Sequence, residues 1–213
     1  MARTQTFDRD AVVRAARTLF WQSGYDGASI PDLEAATGIR RSSLYNTFGS
    51  KRGLFDAAVQ SYLDEVIRPR LSPLQAETVS PDAIIEYLTG LREAFENLES
   101  MPATNGCLLI NTASSPIASD PEVARVVTDY RNELETAFAR GIEARQPALA
   151  VAEKKALSQA VTGMLISAFA IARIDAAQAA SSVDIALHLV VVEDLIPRMR
   201  DRGSLVTRGK VQI

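Results

Sequence analysis

The sequence predicts an all-α protein, and three observations carry that reading. Apolar residues return at three- and four-residue intervals in one segment after another, the period of a helix with one buried face. Helix punctuation divides those segments: Gly38 and Pro69 stand where runs stop, Ser80-Pro81-Asp82 and Asp120-Pro121 where others start. Between Ser29 and Phe48 two runs are so short that they fit a pair of helices joined by a tight turn. The resulting order is three short helices within residues 1–55, a larger helical unit over 56–200, and a tail at 201–213 with two glycines and scattered charge, expected to be mobile.

The first helix runs from about Asp8 to Gln22, with Val12, Ala16, Leu19 and Phe20 in one stripe that Val13 and Ala15 widen. Ser29 can cap the second, which reaches about Ala36 and buries Ile30 and Leu33. Pro31 is tolerable there because it falls in the opening turn, where a missing N–H costs little. Thr37-Gly38 breaks the run, since glycine accepts positive φ at little steric cost. The third helix, about Arg40 to Phe48, places Leu44 and Phe48 on one face and leaves Arg40, Arg41, Ser42, Ser43, Asn46 and Thr47 largely on the others. A fourth, from near Ser50 to about Ile67, aligns Phe55, Val59, Tyr62 and Val66 and is expected to end before Pro69, with Leu71 to Val79 as a Pro-bearing connection. Asp82 to about Leu98 then carries Ile85, Leu88, Leu91, Phe95 and Leu98. Cys107 to Ala113 makes a short apolar helix, and Asp120-Pro121 opens a long one to about Ala144. Glu153 to about Asp175 and Ser182 to Arg200 are the last two.

A short helix that hides two apolar residues and displays arginines and small polar groups suits the major groove of DNA. Arg40 and Arg41 can each donate bidentately to guanine or grip a phosphate, and that choice stays open. Ser29, Ser43, Tyr45 and Lys51 suit phosphate, Lys51 from a helix's first turn where unpaired N–H groups assist an anion. Tyr45 also reads as a partly buried ring, and Arg3, Arg9 and Arg14 as either phosphate contacts or solvated surface. Charge agrees with this division. Residues 1–55 hold eight Lys/Arg against five Asp/Glu, whereas the remainder hold fifteen against twenty-one. A basic head on an acidic body concentrates attraction to phosphate at one end.

Residues 8–55 resemble the N-terminal domain of the TetR family of bacterial transcriptional regulators. The resemblance rests on Gly24-Tyr25, Ser29, Asp32-Leu33, Ala36-Thr37-Gly38-Ile39, Leu44-Tyr45-Asn46-Thr47-Phe48, Ser50-Lys51 and Leu54. Glu34 replaces a usual small residue and Asn46 stands where the family often has His, departures that bear on which sequence is read. The resemblance implies a helix-turn-helix DNA-binding domain followed by a ligand-binding and dimerisation domain. It also implies a palindromic double-stranded operator as partner, with Tyr45 and Lys51 on the DNA backbone. Gly106-Cys107-Leu108-Leu109-Ile110-Asn111, followed by a Pro-ended break, is similar to one subgroup in which this segment lies against the effector cavity. A pocket for a small organic effector is therefore expected from Cys107, Asn111, Leu91, Phe95, Tyr130 and Met164.

The last two helices are apolar on more than one face, and a second copy is the natural cover for the outer one. Gly163, Ser167, Ile171, Leu187, Val191 and Leu195 are the candidates for that homodimer interface. A single cysteine excludes an intrachain disulfide framework and fits a reducing compartment. The opening MARTQTFDRD has no apolar signal core, which points to the cytoplasm. Ala156 to Ala172 is free of charge but too short and too polar for a span, so no membrane partner is expected. No phosphate-cradling glycine loop or His-rich metal spacing is present, so no catalytic residue, metal or cofactor is assigned. Cys107 reads either as a small buried hydrophobe or as an electrophile-sensing thiol, and the lone His188 as a core or interface residue. The expected function is a sequence-specific repressor released by a ligand; the competing one is a helical small-molecule or electrophile sensor without a specific operator.

Overall fold

The computed structural model describes residues 7–192, and every regular element among them is helical. Arg3, Leu195, the continuation of the last helix toward Arg200 and the tail at 201–213 lie outside the described residues.

The first helix, α1 (Arg9–Gly27), is capped by Asp8, whose carboxylate accepts from the N–H groups of Asp10 and Ala11. It buries Val12, Val13, Ala16, Phe20 and Trp21 and is interrupted at Gly24, where φ is 72° and ψ 173°. That combination is open essentially to glycine alone, so Gly24 lets the chain kink and set Tyr25 against Phe55, ring centroids 5.1 Å apart. Helix α2 (Ile30–Thr37) opens with a reciprocal cap between Ser29 and Asp32, and Gly38 closes it in the left-handed region at φ 70°. Helix α3 (Arg41–Phe48) buries Leu44 against α2 and the next helix. Helix α4 (Lys51–Tyr62) starts on the cap of Ser50 and packs along α1 through Leu54, Phe55, Ala58, Val59 and Tyr62.

The chain does not stop before Pro69. A π-helical turn, Leu63–Ile67, carries it into α5 (Arg68–Gln75), and Leu71 and Leu74, expected in a connection, are fully buried. The wide turn adds a residue and rotates the buried face, so Leu63 and Ile67 point inward while Val66 is only half-buried. Pro69 falls in the first turn of α5, and the Pro69 carbonyl, which Pro73 cannot engage, accepts from Ser72 Oγ at 2.9 Å.

Helix α6 (Ala83–Glu96) begins beyond the Ser80 turn and ends two residues short of Leu98, which is exposed. A helix the sequence did not announce, α7 (Met101–Asn105), precedes α8 (Leu108–Ala113), for which Cys107 is the N-cap rather than the first helical residue. After a 3-10 turn at Pro116–Ser119, α9 (Pro121–Arg145) starts on the cap of Asp120. Helix α10 (Val151–Ile171) packs on α9 and on α11 (Ala176–Val191). Helix α11 starts six residues before Ser182 because Asp175 caps it, accepting from Gln178 N–H at 2.9 Å. It lies against α6, so the larger unit is a bundle around Ile84, Leu88, Phe95, Phe138, Val161, Leu165 and Val183, all fully buried. No helix among the described residues is long and apolar enough to cross a membrane.

Candidate nucleic-acid interface

Helices α2 and α3 present one polar face. Arg40, Arg41, Ser42, Asn46 and Ser29 are exposed on it, Ser43 and Lys51 are half-buried, and Tyr45 is 37 % exposed. Tyr45 is thus available at the surface. Arg41 lies over its ring, guanidinium carbon 5.4 Å from the centroid, and the Lys51 ammonium sits 4.5 Å from the centroid of Tyr25. Among the described residues the Arg40, Arg41 and Lys51 side chains make no ion pair, so three cations face outward without an internal counter-charge. Arg17 and Arg52 contrast with them. Arg17 reaches Glu65 at 2.9 Å, and Arg52 spans Asp56 and Asp120 at 2.7 Å each. Arg9 lies over Phe48 at 5.2 Å, beside the end of α3, whereas Arg14 faces Glu65.

Each end of this face is fixed locally. Ser29 Oγ accepts from Asp32 N–H at 3.2 Å and donates to the Asp32 carboxylate at 2.5 Å; that hydrogen bond holds the Asp32 carboxyl below its ordinary pKa. Ser29 therefore does structural work on α2 besides any contact outside. Arg40, the N-cap of α3, makes no side-chain cap; Glu34 of α2 does it instead, its carboxylate accepting from Arg41 N–H at 2.6 Å.

The head is tied to the body by groups that sequence periodicity does not reveal. Trp21 Nε1–H donates to the Gly106 carbonyl at 3.0 Å, and Arg173, just beyond α10, donates to the Trp21 carbonyl at 2.9 Å and the Gln22 carbonyl at 2.5 Å. Arg52 grips Asp120 with two nitrogens, 2.7 and 3.2 Å, and this pairing holds the Asp120 carboxyl down to about 2.

Inside the body a cavity of about 330 Å³ opens between α4, α5, α6, α7 and α10. Its apolar wall includes Ile67, Leu91, Pro102 and Phe169, and Tyr62, Tyr87, Arg70 and Glu86 bring polar groups to it. Of the expected pocket residues, Leu91 lines this cavity. Phe95 stands behind it, edge-on to Phe169 at 5.4 Å. Cys107 and Tyr130 are buried one layer away: the Tyr62 hydroxyl donates to Cys107 Sγ at 3.4 Å, and the thiol donates to Tyr130 Oη at 3.5 Å. Burial pushes both phenols well above their usual range, so they stay neutral donors and acceptors. Asn111 points elsewhere, its amide donating to the Asn105 carbonyl at 2.7 Å, and Met164 is half-buried on α10 away from the cavity. The Arg70 and Phe169 contributions carry no sequence signal, since one follows a proline taken as a stop and the other lies in a helix apolar nearly all round.

On α10 and α11, Gly163, Ser167 and Val191 are exposed, and Ile171 and Leu187 half-buried. His188 is exposed on α11, not in the core, and Cys107 is buried between two phenols, so the two do not form a nucleophile–base pair.

Comparison with known proteins places this geometry. A model of bacterial regulatory proteins of the tetR family matches residues 12–58. The chain is 36% identical over 142 residues to the uncharacterized HTH-type transcriptional regulator YezE of Bacillus subtilis, covering 67% of this chain and 72% of YezE. It is 37% identical over 121 residues to the HTH-type transcriptional repressor ComR of Escherichia coli, covering 55% of this chain and 56% of ComR. A solved structure of the TetR family regulator CifR, a cysteine mutant complexed with 26bp double-strand operator DNA, is 28% identical with a TM-score of 0.72, covering 87% of this chain and 98% of that one.

Proposed function

The chain belongs to the TetR family of bacterial regulatory proteins, and from that premise we propose a homodimeric repressor that binds a palindromic operator and is released by a small organic molecule. As a member of that family it is a DNA-binding regulator and not an enzyme. The observation that carries the rest is the outward face at α3, where Arg40, Arg41, Ser42 and Asn46 are exposed and neither arginine is ion-paired among the described residues, while Tyr45 and Lys51 flank them. In this reading Ser29, Ser43, Tyr45 and Lys51 hold phosphates and set register, while Ser42, Asn46 and at least one of Arg40 and Arg41 select bases. Residues 1–55 act as reader and 56–200 as effector and dimerisation unit.

The exposed faces of α10 and α11, through Gly163, Ser167, Ile171, Leu187 and Val191, would be covered by a second copy. A two-fold dimer places two readers one or more helical turns apart, which is why a palindrome is the expected operator. The 330 Å³ cavity is at the small end of the range of about 300–1,000 Å³ for organic ligand sites. Its wall shares Tyr62 with α4, the helix that also carries Lys51 into the reader. An effector that fits the cavity better in a dimer with misaligned readers lowers operator affinity by that difference in binding. The test is capture and sequencing of genomic fragments by the purified protein at physiological salt, beside the Tyr45→Ala/Lys51→Ala variant. An enriched palindrome lost in the variant supports the reading; a folded dimer that enriches nothing refutes it.

A further inference from the structure

We propose that Glu34 is a positioning residue for sequence recognition: by capping α3 from α2 it makes Arg41, rather than Arg40, the arginine that reads a base. The inference rests on the DNA-binding reading above and goes beyond it by separating two adjacent arginines that composition and spacing leave equivalent.

Helix α3 is eight residues long, has no acid in its first turn, and begins on Arg40, whose side chain caps nothing. A helix that short leaves a large share of its N–H groups without a partner, so its placement depends on what meets its start. Glu34 supplies that partner from seven residues back, across the Gly38 turn, with Oε1 2.6 Å from Arg41 N. An acceptor from elsewhere in the chain satisfies the same unpaired N–H that a local cap would, and a carboxylate adds favourable interaction with the helix dipole. The Gly38 N–H bonds the Glu34 carbonyl at 2.9 Å, so the backbone and the side chain of one residue hold both sides of the turn.

The consequence falls on Arg41. Its backbone is pinned by Glu34, and its guanidinium lies over Tyr45, one turn on, at 5.4 Å. Two independent contacts thus restrict where the fork of donors can point, which is what a bidentate contact to guanine requires. Arg40 has neither: it stands outside the helix, exposed, with no side-chain partner among the described residues. A loosely held cation serves a diffuse phosphate charge well and a base edge poorly. Glu34 also occupies the Arg41 N–H with a carboxylate, which disfavours a phosphate on the backbone at that end, and register is left to side chains, Ser29, Tyr45, Lys51 and the extended Arg40.

The experiment is selection from a randomised DNA library, with anisotropy titrations on the enriched site and on each single-base variant, for the 213-residue chain and four variants. Wild-type protein is expected to discriminate at one guanine per half-site. Arg41→Ala loses that discrimination, by roughly fivefold or more, while leaving other positions read. Arg40→Ala weakens all sequences alike. Glu34→Ala relaxes preference at the Arg41 position by roughly two- to thirtyfold, the range set by loss of a cap. Glu34→Gln, whose amide oxygen still accepts from the Arg41 N–H, restores it. Circular dichroism melts of Glu34→Ala and Glu34→Gln establish that both are folded at the assay temperature. An enriched site whose preferences are indifferent to Glu34→Ala, or one whose guanine is lost with Arg40→Ala instead, overturns this proposal alone. No enriched site with the wild-type protein overturns the repressor reading and this proposal with it.

Discussion

Gly53→Ala is the sharpest probe of how the reader is assembled, because two effects on it have opposite signs. Gly53 is the third residue of α4, its N–H bonded to Ser50 Oγ at 3.0 Å. Considered only as a helical position, replacing glycine by alanine stabilises by at most about 1 kcal/mol. A Cβ at this site, however, would meet the backbone carbonyl oxygen of Phe48 at 2.1 Å and its carbon at 3.3 Å. That is about 1 Å inside the roughly 3.3 Å at which carbon and carbonyl oxygen ordinarily touch. The obstacle is the last residue of α3 and not a movable side-chain tip, so α3 and α4 must separate. Overpacking costs about 1–3 kcal/mol, and a clash this deep with backbone belongs to the upper part of that range, so after the gain in propensity a net loss of roughly 1–2 kcal/mol remains. For a chain of this length that corresponds to a fall in Tm of roughly 2–8 °C, read at fixed protein concentration so that any association does not enter the comparison. The same variant should bind operator more weakly, since α3 shifts relative to Lys51. A thermal melt beside an operator titration checks both, and a Gly53→Ala protein that is as stable as wild type or more so refutes the packing described for this joint.

Two further outcomes follow from the body. The Asp120 carboxyl is lowered from 3.8 to about 2, chiefly by its hydrogen bond from Arg52, so its stabilising contribution is complete above about pH 4 and is lost as pH falls toward 2. The gap in urea midpoint between wild type and Arg52→Gln should therefore be level from pH 7 to 5 and shrink between pH 4 and 2; a gap unchanged at pH 2 would mean the pair does not form. Cys107 is fully buried with its sulfur between Tyr62 and Tyr130, so the folded protein should react with a thiol reagent no faster than it opens, and the urea-unfolded chain at once. Rapid stoichiometric labelling of the folded protein would revive the sensing role for this thiol.

The reader was legible in the sequence because its signals are short in range. Ser29 with Asp32, Gly38 and Ser50 each announce a helix end from within three residues, and Leu44 with Phe48 fixes the face of α3. The body was legible only where punctuation was honest. Pro69 and Pro73 read as breakers, yet a π turn and the Ser72 hydroxyl let the helix pass through them. That added residue also changes which apolar positions are buried, so a strict 3.6 period chooses Val66 over Leu63 and Ile67. The cavity wall and the ties to the head are matters of long-range contact. Glu34 reaches Arg41 across a turn, and Arg173 reaches Trp21 over 152 positions; no periodicity or cap motif encodes such pairs. Asn111 misled for the same reason, its amide being taken by the neighbouring Asn105 carbonyl and not by a cavity.

Trp21 gives the molecule a built-in gauge. It is the chain's one tryptophan, 6 % exposed, and its indole stands edge-on to the Tyr62 ring at 4.8 Å while its N–H is held by Gly106. Tyr62 is at once a wall of the cavity, and Trp21 at once a part of the reader's first helix. Tryptophan emission, excited at wavelengths where tyrosine does not absorb, consequently comes from a single position in the chain, the seam where head and body meet. An optical signal with no label attached can follow the seam in real time, and a change in it is a statement about that place and no other.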